Sequence, residues 1–241
     1  MNPKRLIAHR GDNTHYPENT LIAIEEAIKA GAVSFECDLQ MNADKSLVAF
    51  HDADFIRMNG ESESKIYDLS DVEMDQLSVH EPQQFGDKHR PTSVTYFTEI
   101  VELMKRYPAV QAYIEIKNDS LQFWGIETVM DKVIESLNGF EDQAVVISFN
   151  SSALEYLKTK SRLRIGFVFE EYSNHVKAIA SDLNPECLIC YYRILPNSGL
   201  WEGDWKWMVY TINDVALMKR LLKRDDIDFI ETDDIQAMLN A

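Results

Sequence analysis

An α/β fold of the TIM (β/α)8 type is the architecture this chain implies. Short apolar, β-branched runs alternate with amphipathic stretches along its whole length. The runs are nearly continuous in apolar residues, as expected of parallel strands buried on both faces. The 241 residues suit one such barrel, for which about 250 is typical.

The strand candidates, in chain order, are 6–10, 33–39, 47–51, 112–117, 144–149, 164–169, 187–192, 207–212 and 228–232. Helical stretches fall at 18–30, 97–106, 121–137, 151–159, 172–182 and 213–223. Asn19 is the expected cap of the first, Ser120 the start of the third, and Asn213 with Asp214 the start of the last. Nine strands exceed the barrel's eight. The extra one is 47–51, because the eight residues between Asp38 and Leu47 are too few for a parallel crossover, which needs about a dozen or more, but enough for a hairpin. A β-hairpin therefore follows strand 2 and delivers His51 to the C-terminal mouth, where sites of this fold lie. A small insertion, or lid, covers about 53–95 before strand 3. It holds a short acidic helix near 69–77 and a polar loop at 81–91, whose tip is a candidate for disorder. The chain reads as one domain, 1–241, without internal repeats.

Net charge is −16, from 24 basic and 40 acidic residues. Such a chain repels nucleic acid and anionic membranes, so neither is an expected partner. A phosphate ligand would need a local store of Arg, Lys or metal. No run is apolar enough to span a membrane. Strand-like sequence begins near Arg5, so no signal peptide is expected and the cytoplasm is the expected location. Cys37, Cys187 and Cys190 do not form a disulfide framework, and one CxxC pair does not make a zinc site; buried reduced thiols are expected. Oligomeric state is not legible.

Glu36 and Asp38 lie two apart on a strand and face the barrel interior, while Phe35, Cys37 and Leu39 face the helices. Glu115 and Lys117 repeat that spacing on the next barrel strand, about 4.8 Å away. Two inward carboxylates need a positive partner, either Arg10 or Lys117 in a salt bridge or a bound metal. With Glu115, all three carboxylates can converge on one divalent cation, Mg2+ or Ca2+, which takes oxygen ligands. Lys117 balances their charge and can also meet phosphate. His9 and His51 reach the same mouth from different elements, as an acid–base pair at phosphorus would. Arg10 offers a planar fork for two phosphate oxygens. His15, His80, His89 and His175 fall on polar loops or a helix face, where a solvated role is expected.

These residues carry a resemblance. HRG at 9–11, PENT at 17–20, ECD at 36–38, HD at 51–52 and EIK at 115–117 resemble the motifs of the glycerophosphodiester phosphodiesterase family, in its order and over nearly the whole chain. SF at 148–149, YTIND at 210–214 and TD at 232–233 match more weakly. The resemblance implies hydrolysis of small-molecule glycerophosphodiesters to sn-glycerol 3-phosphate and an alcohol. By position, His9 and His51 match the family's acid–base pair, Glu36, Asp38 and Glu115 its metal ligands, and Arg10 and Lys117 its phosphate contacts. Two departures stand out. MNADKS at 41–46 replaces a threonine and an Asp-Gly turn, which changes the turn but retains His51. Tyr210 replaces a tryptophan in the seventh barrel strand, with Trp207 three residues earlier; Tyr210 is the expected substrate-contacting aromatic of the leaving-group pocket.

The expected mechanism is attack by the glycerol 2-hydroxyl, activated by the cation and one histidine, while the other histidine protonates the leaving alcohol. Water then opens a cyclic phosphate. Lysophospholipase D-like activity is the alternative, but it would need an apolar slot at the mouth, and the 81–91 loop is polar. A catalytically inactive, phosphodiester-binding barrel is a further alternative; against it, all seven polar residues are present.

Overall fold

The computed structural model describes residues 2–196 and 198–241. Its strands are β1 (Leu6–Ala8), β2 (Ser34–Met41), β3 (Leu47–Ala49), β4 (Thr95–Tyr96), β5 (Gln111–Ile116), β6 (Ala144–Ser148), β7 (Arg164–Phe169), β8 (Cys187–Tyr191), β9 (Lys206–Tyr210) and β10 (Phe229–Thr232). Its helices are α1 (Leu21–Lys29), α2 (Ile56–Asn59), α3 (Asp71–Met74), α4 (Pro82–Phe85), α5 (Phe97–Arg106), α6 (Asn118–Trp124), α7 (Ile126–Ser136), α8 (Ser151–Lys160), α9 (Asn174–Leu183), α10 (Val215–Leu221) and α11 (Ile235–Leu239).

The sheet runs β1-β10-β9-β8-β7-β6-β5-β2, and β1 pairs with β2 to close it. These eight strands are parallel to their neighbours, so the barrel is complete. β3 returns antiparallel to β2, as the short connection requires, with Leu39 opposite Ala49. β4 then pairs antiparallel with β3. At two residues it is too short to show an alternating pattern that could be read from sequence.

Inside the barrel, Ile7, Val145, Ile147, Val168, Ile189 and Met208 form a packed plug. Phe35, Cys37 and Leu39 belong instead to the layer between strands and helices, the outward direction expected of them. Phe55, Met58, Ile66 and Met74 pack with Val48 and Phe50 into a separate core that fastens the insertion to the hairpin. Cys187 lies in the plug and Cys190 in the outer layer, because positions three apart on a strand face opposite ways. They cannot share a metal, and all three cysteines are free and buried.

Several expectations need correction. The cap of α1 is Thr20, whose Oγ1 accepts from Ala23 N at 3.3 Å, and not Asn19. The helix expected over 121–137 is two helices, broken at Gly125, whose φ of +83° is open to glycine but costly for other residues. Ser120 starts nothing; it is buried within α6, where its Oγ accepts from Met41 N at 2.8 Å. The polar stretch 81–91 contains α4. His80 is buried rather than solvated. No helix among the described residues is long and apolar enough to cross a membrane.

Candidate active site

The C-terminal ends of the strands enclose a cavity of about 230 Å³, lined by His9, Arg10, Glu36, His51, Glu115, Lys117, Tyr210 and Glu231 among others. The parallel register sets its base. Asp38 of β2 lies opposite Glu115 of β5, so these two carboxylates meet at one level, with Glu36 on the same face of β2. One oxygen from each of Glu36, Asp38 and Glu115 lies within 4.8 Å of the others.

Two cations lean on this trio. Lys117 Nζ is 2.8 Å from Glu115 Oε1 and 3.3 Å from Asp38 Oδ1. Arg10 donates from Nη1 to both oxygens of Glu18, at 3.0 and 3.1 Å. Its Nε lies 3.1 Å from Asp38 Oδ2 but is not aligned for a hydrogen bond. Its backbone N–H donates to Glu36 Oε2 at 3.0 Å. Arg10 reaches this position through a left-handed φ of +56°, which also ends β1 two residues earlier than expected. Gly11 follows at φ +85°, packed so closely that a Cβ there would lie 2.5 Å from the Ala23 backbone. The glycine of HRG is therefore a steric requirement.

Burial disfavours charge throughout the site, and the neighbours decide which groups keep it. Arg10, Lys117 and His51 hold Asp38 well below the usual carboxylate range in spite of its burial. Burial and the adjacent Asp38 push Glu36 well above that range, and the same two causes raise Glu115. Glu231 is pushed up to about 8 by burial and by Glu115 and Asp38. Crowded and all-oxygen, with three carboxylates against two cations, the trio fits a hard divalent cation. Acidic groups are thus positioned to hold a metal. Asp12, His15 and Asp234 also gather, but Asp12 is engaged by His15 Nδ1 at 3.0 Å and Gln236 Nε2 at 2.7 Å.

The two histidines face the cavity with carboxylates behind them. His9 Nδ1 is 2.7 Å from Asp233 Oδ1, and His51 Nδ1 is 2.7 Å from Asp52 Oδ1. A carboxylate at Nδ1 selects the tautomer that leaves Nε2 unprotonated in the neutral ring. His9 Nε2 lies 4.0 Å from Glu36 Oε2, so the ring borders the acidic trio. The structure therefore brings together His9, His51, Arg10, Glu36, Asp38, Glu115, Lys117 and Tyr210. Trp207, three residues before Tyr210, faces away and packs with Trp201 and Phe169 in the outer layer. Phe149 is the second aromatic lining the cavity. Ser148 does not reach the mouth, because its buried hydroxyl donates to Ile116 O at 2.9 Å.

Sequence reasoning missed several residues. Asn19 has φ +57°; its Nδ2 donates to Asp38 Oδ2 at 2.9 Å, and its Oδ1 accepts from Asp38 N at 3.0 Å. It buttresses an acidic residue instead of capping a helix. Arg57, from the insertion, donates to Asp52 Oδ2 at 2.6 Å, Glu18 Oε1 at 2.6 Å and Glu81 Oε1 at 3.0 Å. One side chain thereby joins the insertion to the carboxylates behind both His51 and Arg10. A lone arginine in FIRMNG carries no local sign of this. Asp52 and Asp233 had a signal, as acidic residues in the HD and TD motifs.

The sequence profile of the glycerophosphoryl diester phosphodiesterase family matches residues 9–237. A glycerophosphodiester phosphodiesterase of Caldanaerobacter subterraneus subsp. tengcongensis is 30% identical over 244 residues, covering 98% of this chain and 96% of that protein. Among solved structures, an Oleispira antarctica phosphodiesterase in complex with the product sn-glycerol-3-phosphate superposes with a TM-score of 0.84 at 21% identity, over 98% of this chain and 95% of that one. The glycerophosphodiester phosphodiesterase of Agrobacterium tumefaciens strain C58 gives 0.80 at 20% identity, over 99% and 100%. At those identities the structures speak for the barrel alone. The profile match over most of the chain, with the near full-length relative, assigns the sequence: it belongs to the glycerophosphoryl diester phosphodiesterase family.

Proposed function

We propose that this protein hydrolyses glycerophosphodiesters to sn-glycerol 3-phosphate and an alcohol, by two-histidine acid–base chemistry that depends on a divalent cation. The observation that carries the reading is the pair of imidazoles, each backed at Nδ1 by a carboxylate at 2.7 Å, on one small cavity with the acidic trio.

Glu36, Asp38 and Glu115 would hold the cation, Mg2+ or Ca2+, which would supply Lewis-acid chemistry at the site. One histidine takes the proton of the glycerol 2-hydroxyl at Nε2. The other, protonated, delivers its proton to the departing alkoxide. The two exchange roles when water opens the cyclic phosphate. Asp52 and Asp233 keep each ring oriented and stabilise its imidazolium form. Among the described residues Arg10 Nη2 has no hydrogen-bond partner, and Lys117 donates one N–H to Glu115 while its Nζ stays 3.3 Å from Asp38 Oδ1 without hydrogen-bond alignment. Those spare donors are suited to the equatorial oxygens. Tyr210 and Phe149 line the path of the leaving alcohol. The free cysteines fit a reducing, cytoplasmic setting.

The test is hydrolysis of glycerophosphocholine with magnesium or calcium, by the wild type and by His9→Ala and His51→Ala. Each substitution is expected to lower kcat by about 10²- to 10⁴-fold. Near-normal turnover in both would refute the acid–base assignment, and full activity after exhaustive chelation would refute the cation.

A further inference from the structure

Glu231 has no part in the chemistry assigned above, yet it lines the same cavity. It sits on β10 opposite Ile7 of β1, at the plug level, and is 3% exposed. Among the described residues its Oε1 meets no hydrogen-bond donor. The cations of the site go elsewhere, Arg10 to Glu18 and Asp38, and Lys117 to Asp38 and Glu115. Glu231 is also not one of the three carboxylates whose oxygens gather for a metal. The cavity wall adds Ile147, Val168 and Ile189, which offer no side-chain donor, and Tyr210 and Thr211, whose hydroxyls do not bond Glu231.

Buried polar atoms are nearly always paired, so the missing donor is best supplied by the ligand. Phosphate oxygens accept hydrogen bonds and offer Oε1 no donor. In the proposed mechanism the leaving alcohol departs through the open end, away from the plug. The remaining donor on a glycerophosphodiester is the hydroxyl that does not attack. We infer that Glu231 is a specificity-determining residue that binds the terminal hydroxyl of the glycerol moiety, so that the site selects glycerol esters over esters of diols lacking that group. This rests on the proposed function above. A site built to pair a hydroxyl rejects the ligand lacking it, because its own polar group is then left unpaired.

The experiment compares calorimetric binding of sn-glycerol 3-phosphate with that of 1,2-propanediol 1-phosphate of matching configuration, which lacks only the terminal hydroxyl, in the presence of magnesium. Wild type is expected to prefer the glycerol ester by about tenfold or more. Glu231→Ala should bind both alike, and Glu231→Gln, which can still pair with a hydroxyl, should keep a preference. Magnesium affinity, titrated alone, should stay within about threefold of wild type in both variants, whose folding is verified by circular dichroism. A wild type that hydrolyses glycerophosphocholine but binds the two phosphates alike overturns this inference alone. A wild type that binds neither and hydrolyses nothing overturns it together with the proposed function. Magnesium binding weakened more than about tenfold in Glu231→Gln would make Glu231 a metal-holding group and overturn the hydroxyl assignment.

Discussion

His9 and His51 present rings with the same 2.7 Å contact at Nδ1, but different parts of the molecule fasten them. His9 belongs to the barrel. Its backbone N–H donates to Thr232 O at 3.0 Å, and its carboxylate partner, 224 residues away, arrives only when β10 closes on β1. Asp233 is itself gripped by Asn13 Nδ2 at 2.9 Å and Asn213 Nδ2 at 2.6 Å. His51 belongs to the hairpin and takes its partner from the next residue. The Gln40 side chain holds that turn by donating to the carbonyls of His51 and Asp52, and Arg57 ties Asp52 to the insertion. The side chain of His9 is 16% exposed and that of His51 33%. One imidazole is thus set by barrel closure, and the other by a local turn and an appended core. The insertion, on this comparison, fastens the carboxylate partner of one of the two imidazoles through Arg57.

The sharpest way to break the comparison is to neutralise each carboxylate. Asp233→Asn should lower kcat by about 10²- to 10⁴-fold, because the half-buried ring has no other acceptor at Nδ1 among the described residues to select its tautomer. Asp52→Asn should cost less, about tenfold to a hundredfold, since water can reach the more exposed ring. Steady-state kinetics on glycerophosphocholine measures both; equal losses would mean that anchoring does not distinguish them.

A smaller effect tests the insertion. Arg57→Ala should lower kcat/KM by about tenfold, and its effect should largely vanish in an Asp52→Asn background while adding fully to Asp233→Asn. Full additivity with both would show that Arg57 acts only through stability. Asn19→Ala should destabilise the fold by about 1–3 kcal/mol in urea, from the two lost bonds to Asp38 and from placing alanine at a left-handed φ that asparagine adopts more readily. Wild-type stability in that variant would remove the buttress role.

The least effect is on thermal stability, and it contrasts the carboxylates behind the histidines with those in the cavity. Burial opposes charge on Asp233, but its bond with His9 holds it at about 2, and the bonds of His51 and Arg57 hold Asp52 lower still. A depressed pKa gives stability that is present above the unfolded value and lost as pH falls toward 2. Glu36, Glu115 and Glu231 are raised, with Glu231 at about 8. Their folded forms favour the proton, so the metal-free protein should lose stability as pH rises from the ordinary glutamate range, about 4.3, toward 8. Its Tm should fall by a few degrees between pH 5 and 8, and added magnesium should reduce the fall. A Tm that rises across this window would contradict the desolvation of the three glutamates.

Much of this arrangement was legible because it is periodic or local. Spacing of two along a strand put Glu36 with Asp38 and Glu115 with Lys117 on inner faces, and a connection too short for a crossover made 47–51 a hairpin that brings His51 to the mouth. What stayed hidden depends on contacts between distant segments or on a single dihedral. Asn19 has the composition of a helix cap, and only the packed site shows it turned toward Asp38. Gly125 in an apolar, helical stretch reads as tolerated until its φ is seen.

The amino-acid order by itself determined the barrel, the end of it that carries chemistry, and the identity of the polar groups there, since strand period and loop length act over a few residues. Tertiary structure alone decided that Asp233 backs His9, that Arg57 serves two arms of the site, and that Glu231 Oε1 meets no donor among the described residues. Those outcomes follow from the register in which the last strand meets the first and from how the insertion's core seats on the hairpin, and no short stretch of sequence encodes either.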